Sequence, residues 1–226
     1  MLEHSTNIYT TVLLNDNIKY EPEHHRLRCL GHIINLAAQA FLFPSGDALH
    51  IENNIESQHT LLETEIEEWR NKGPLGKLHN IVVFIQRSPQ RQQAFSLLSN
   101  GKRLVRDNTT RWNSWYLMLA CALTDHMRGA IDQYCWQNRV DLRLDTIEPE
   151  DWIVLSNIHD CLKYFHEATL ATEGHDATLD QVLFSMEFLL EQLEIGKREF
   201  QEDPILSPCF NSAWEKMDKY YSRTDQ

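Results

Sequence analysis

From Ile33 to Phe43 the chain is apolar on nearly every side of a helix. A helix with no polar face must be enclosed by other elements. The fold therefore has to supply partners around it. Gly31 opens this helix, and Pro44-Ser45-Gly46-Asp47 stops it. Just upstream, Arg26-Leu27-Arg28-Cys29 is too short for anything except a strand end or an extended connector.

The partners are available. Hydrophobic residues make up 42% of the 226 and include six tryptophans, enough for a substantial core. Residues 4 to 15 suit a short helix, and Leu61, Leu62, Glu65, Ile66 and Trp69 form a helical stripe. Gly73-Pro74-Leu75-Gly76 is expected to break that helix. Leu78, Ile81, Val82 and Ile85 begin another, although Ile81 to Ile85 alone would also suit a strand; helix is favoured because turn signals lie far apart. Pro89 marks the first turn of the next helix. Gly101 to Thr110 is a basic loop, and Asn113 or Ser114 is expected to cap one long helix through Trp115, Leu119, Leu123 and Met127. Arg139 to Glu148 is polar and expected to be irregular. Pro149-Glu150-Asp151 then starts a helix whose Trp152, Leu155, Ile158, Leu162 and Phe165 recur at three- and four-residue steps. Leu179 to Leu193 repeats that pattern. Phe210, Trp214, Met217 and Tyr221 mark a last amphipathic helix after Pro204 and Pro208. The expected class is mainly α.

Several functions are disfavoured. The run from Ile33 to Phe43 is about half of a bilayer span, and Met1 to Thr6 lacks the basic and apolar regions of a signal peptide. Five widely spaced cysteines, an odd number, fit reduced thiols better than a disulfide framework. A soluble intracellular protein without a membrane role is expected. Nucleophile elbows, phosphate-cradling glycine loops and dinucleotide fingerprints are absent, and no strand ends on a candidate metal-binding Asp.

Three features carry possible chemistry. Cys29 and His32 have zinc-ligand spacing, with His24 and His25 upstream, but no second ligand pair follows. A buried helix-start cysteine beside a hydrogen-bonded histidine and a pair supporting a neighbouring active site are the other readings. Between Asn71 and Arg111 lie Lys72, Lys77, Arg87, Arg91, Lys102, Arg103, Arg106 and Arg111 against one acid, Asp107, in a chain of net charge −12. That segment can face phosphate while the rest repels it; a solvated face with clustered charge is the plainer account. Arg111-Trp112 offers charge to phosphate and a flat face to an unstacked base. On the residues alone, a tryptophan anchored in the core beside a solvated arginine is the favoured account.

Arg28-Cys29-Leu30-Gly31-His32-Ile33-Ile34-Asn35-Leu36 resembles the R-C-x-x-H-x-x-N-L signature of hAT-superfamily DNA transposases. Leu78 to Ile85 followed by Ser88-Pro89-Gln90-Arg91, Asp107 to Ser114, Leu162 to Thr169 and Ala213 to Tyr221 resemble further family blocks in the same order. The resemblance implies a helical insertion domain of an RNase H-like, DDE-type transposase, with residues 1–30 a helix-plus-strand-stub remnant of the α/β core and residues 31–226 the insertion. It implies that Cys29 and His32 flank the active site and that Trp112 contacts DNA near the cleavage point. The Asp, Asp and Glu that bind divalent metal have no counterpart here: no Asp stands between Met1 and Asn7, and the remaining two positions and the BED zinc finger fall outside the sequence. The expectation is a truncated or domesticated, catalytically inactive protein of the nucleus. It would need no cofactor, since divalent metal belongs to the intact transposase. It would bind transposon-end or hairpin-like DNA through Lys102, Arg103, Arg106, Arg111 and Trp112, with intact transposase subunits as further partners. A helical protein-interaction module with no nucleic-acid role is the alternative.

Overall fold

A computed structural model describes residues 29–44, 63–106, 111–172 and 179–222. The expected helix at residues 4–15, the strand stub at 26–28, and hence nearly all of the proposed core remnant 1–30, lie outside them, as do Leu61, Leu62 and residues 107–110. Every regular element among the described residues is a helix, and the fold is mainly α as the periodicities predict.

The apolar helix, α1 (Leu30–Leu42), is central. Ala37 and Ala38 are wholly buried, and such small side chains let a neighbouring backbone come close. That neighbour is α10 (Leu206–Tyr221), which makes the most extensive helix pairing in the molecule. Phe41 meets Phe210 edge to face at 5.1 Å, and Phe210 stacks on Phe200 at 5.3 Å. Gly196 closes the same seam, because a Cβ there would lie 2.1 Å from the Phe210 ring. α8 (Pro149–Thr172) and α9 (Leu179–Glu199) complete this half; α8 packs on α1, α9 and the helix α5 described below.

The other half begins with α2 (Glu63–Arg70) and α3 (Pro74–Gln86). The Gly73 to Gly76 break is tighter than the sequence suggests. Only Gly73 has a positive φ, 71°, and Pro74 already occupies the first turn of α3. Gly76 serves close approach: an added Cβ would lie 1.6 Å from the carbonyl oxygen of Trp69. Ile81 to Ile85 is helical and buried apart from Phe84, which resolves the strand alternative. Trp69 stacks on His79 at 3.9 Å and lies 5.4 Å from Trp115 in the same aromatic group as Phe43. α4 (Pro89–Leu98) follows, and its end is fixed by Asn100 in left-handed backbone (φ 51°), with Gly101 N–H reaching back to Ser96 O at 2.8 Å.

Two expectations need correction here. The long helix from Asn113 to Met127 is two helices, α5 (Trp112–Ala122) and α6 (Asp125–Gln137), separated at Leu123-Thr124. Its apolar period runs on across the break because both helices face one core. Neither Asn113 nor Ser114 is the cap; Arg111 stands at that position and no side chain caps it. Arg139 to Glu148 is also more ordered than its polarity implies, holding a short turn of helix, α7 (Arg139–Leu142). Beyond it Asp145, only 2% exposed, accepts from Arg70 Nε (3.1 Å) and Nη2 (2.8 Å) and from Asn80 Nδ2 (2.9 Å). This network ties α2, α3 and the segment before α8 together.

Candidate nucleic-acid interface

The eight basic residues between Asn71 and Arg111 separate into two groups in space. Lys72 lies over the rings of Phe43 and Trp69, 5.4 and 5.7 Å from their centroids. Lys77 pairs with Asp151 at 2.7 Å. Those two cations serve the fold. The remaining six lie along the end of α3, the start of α4, the segment after α4 and the start of α5.

The segment 102–106 has no regular secondary structure, and three successive carbonyls in it are held by side chains. Ser99 Oγ donates to Lys102 O at 2.5 Å, Cys121 Sγ to Arg103 O at 3.5 Å and Gln86 Nε2 to Leu104 O at 3.1 Å. Leu104 points into the core while Lys102, Arg103, Val105 and Arg106 are exposed. A pinned backbone with one apolar anchor thus displays its cations outward. Arg111 is exposed too, and its carbonyl accepts from Ser114 N–H (3.0 Å) and Oγ (2.7 Å).

Trp112 is not displayed in this way. It is 5% exposed, and its ring sits 6.2 Å from that of Phe165 on α8. The expectation of a flat face offered to a base is corrected on this point: the indole anchors α5 to α8, and its apolar area lies inside. Cys29 is corrected in the opposite direction. It stands exposed at the start of α1, with its carbonyl accepting from His32 N–H (2.9 Å) and Ile33 N–H (3.2 Å). His32 is exposed beside it. His24 and His25 lie outside the described residues, among which no three His, Cys, Asp or Glu are grouped to hold a metal ion. No helix among them is long and apolar enough to cross a membrane.

Sequence reasoning counted Arg87 and Arg91 in the basic segment but did not assign them to the site. Arg91 bends back along α3, donating from Nη1 to Phe84 O at 3.3 Å, with its guanidinium 3.5 Å from the Phe84 ring centroid. Partial burial pushes the Arg87 guanidinium below its ordinary pKa; Glu65 opposes that shift, while the charges of Arg91 and Arg106 reinforce it. Nothing in the linear order joins Arg106 to Arg87. The bond from Gln86 to Leu104 does.

The model of the ZBED1 RNase-like helical domain matches residues 27–161, and the chain belongs to that family, a hAT-like, transposase-derived one. Among relatives, "Putative transcriptional regulator tpeD" of Talaromyces stipitatus is 28% identical over 87% of this chain. The zinc finger BED domain-containing proteins RICESLEEPER 2 and RICESLEEPER 1 of Oryza sativa subsp. japonica are 24% and 23% identical over 96% of it. The chain spans 21% of the length of the first and 27% of the other two. No solved structure matches it significantly.

Proposed function

We propose that this chain is a domesticated hAT-derived helical domain that binds DNA in the nucleus and does not cleave it. The observation that carries the DNA-binding reading is the pinned segment 102–106, whose Lys102, Arg103 and Arg106 are all exposed, as is Arg111. A fixed row of cations on an acidic molecule releases phosphate counterions locally while the rest of the surface limits indiscriminate contact. The ligand in this reading is transposon-end or hairpin-like DNA, and intact transposase subunits are further partners. This reading assigns the chain no cofactor of its own. The names of the relatives, a transcriptional regulator and BED zinc finger proteins, accord with a nuclear, DNA-directed role.

Fluorescence anisotropy with hairpin and single-stranded oligonucleotides across a salt series tests this. The affinity should fall as salt rises, and Lys102→Glu with Arg103→Glu should lower the slope of log K against log salt by roughly 1 to 2. Salt-independent binding, or none, overturns the reading, and metal-dependent strand cleavage by this chain overturns its inactivity. One observation favours the protein-interaction alternative. Trp136, Val140 and Leu144, at 68%, 88% and 55% exposure, lie close in sequence on α6, in α7 and just beyond it.

A further inference from the structure

We propose that Arg87, Arg91 and Arg106 form a built phosphate site at the elbow between α3 and α4, gripping one backbone phosphate of a bound nucleic acid. For the identity of its ligand this rests on the reading of the surface as a DNA-binding face. The site itself stands on its own geometry.

Three elements meet at the elbow and hydrogen bonds fix them there. Gln86 Nε2 holds Leu104 O at 3.1 Å, which brings Arg106 to the end of α3. Gln92 Nε2 holds Gln86 O at 2.8 Å, and Ser88 Oγ accepts from Arg91 N–H at 3.5 Å, which sets the angle between the helices. Arg91 is rigid because Phe84, the ring it covers, packs edge to face on the buried Tyr134 at 6.5 Å.

Carbonyls at the end of α3 each already accept a hydrogen bond. In the last turn of α3, Val83 O takes Arg87 N–H, Phe84 O takes Arg91 and Gln86 O takes Gln92. Glu65 is the acid whose charge reaches Arg87. A guanidinium has five donors in a planar fork, and one of those of Arg91 is used on Phe84 O. Like charges held together match an incoming tetrahedral anion, which arginine forks bind in two-point fashion. The first turn of α4 adds its positive helix end at the same elbow.

The test uses the full chain, with inorganic pyrophosphate and a single-stranded oligonucleotide as separate probes. Pyrophosphate should shift the Nε–Hε resonances of Arg87, Arg91 and Arg106 together and saturably. In Arg87→Gln/Arg91→Gln this response should vanish, and the slope of log K against log salt for DNA should fall by about 0.7, the single-strand value for one phosphate. Arg106→Gln, on the surface segment, should reproduce both losses if the double variant does not fold. No saturable shift in the parent, or unchanged pyrophosphate and DNA binding in a folded variant, overturns the site. If Lys102→Glu/Arg103→Glu weakens DNA binding while Arg87→Gln/Arg91→Gln does not, the DNA-binding reading stands and this site falls. A saturable three-arginine response to pyrophosphate in a chain that ignores DNA upholds the site for free polyphosphate and removes the DNA-binding reading.

Discussion

Two arginine-bearing regions of this domain meet opposite fates. Around Asp145, Arg70 has a buried carboxylate partner held from two sides, and the hydrogen bond to Asp145 raises the Arg70 pKa although partial burial opposes it. At the α3–α4 elbow, Arg87, Arg91 and Arg106 lie near one another with Glu65 the opposing charge. The first group closes the fold; the second is the phosphate site proposed above. Both come from the same kind of polar, charged sequence. What separates them is how the carboxylate is met: Asp145 is buried and takes two hydrogen bonds from Arg70, whereas Glu65 acts on Arg87 through its charge.

The comparison breaks most severely at Gly76, which lets α2 approach α3 and so carries Arg70 to Asp145. Gly76→Ala places a Cβ 1.6 Å from the Trp69 carbonyl oxygen, a backbone atom that cannot rotate away. The helices must separate, at a cost at or above the ~3 kcal/mol upper range of overpacking, read as a loss of urea midpoint. Next is Asp145→Ala. Removing one member of a buried pair usually costs roughly 3–5 kcal/mol. Arg70 keeps 25% of its side chain exposed and can regain some water, so the lower end is expected, with Asn80 losing an acceptor as well. A loss under about 1 kcal/mol would place the network among weakly coupled surface pairs. The smallest effect belongs to Arg87→Gln/Arg91→Gln. Its melting temperature should fall only slightly, by about 1 kcal/mol or less in stability, because the lost Arg91 bond to Phe84 O and its contact with the Phe84 ring are partly offset by the relief of like charges. A large loss of stability would mean that the elbow is structural, erasing the contrast with Asp145.

Much of the fold was legible because burial writes its period into the chain. Trp152, Leu155, Ile158, Leu162 and Phe165 are all buried as their spacing requires. The same signal misled at Leu123-Thr124, where two helices share one apolar period and the bend between them leaves no gap in it. Arg139 to Glu148 looked like solvated loop because polar residues are mostly wet, and a single buried Asp inside it has no signature of its own. The candidate site was half legible. Lys102, Arg103, Arg106 and Arg111 were named from charge density and are exposed, while Trp112 was assigned outward and lies inward. An aromatic next to an arginine reads alike in either position, since residue type records apolar area but not which way it turns.

The amino-acid sequence alone determined a mainly α fold with Ile33 to Phe43 enclosed, because apolar periodicity is a local property repeated every turn. It also fixed which stretch is basic, since formal charge needs no partner to be counted. Tertiary structure decided which cations are neutralised and which converge. Arg87 and Arg106 are nineteen positions apart, and only the bond of Gln86 to Leu104 brings them to one elbow. Pairing depends on distances in space, and these arise when helices dock.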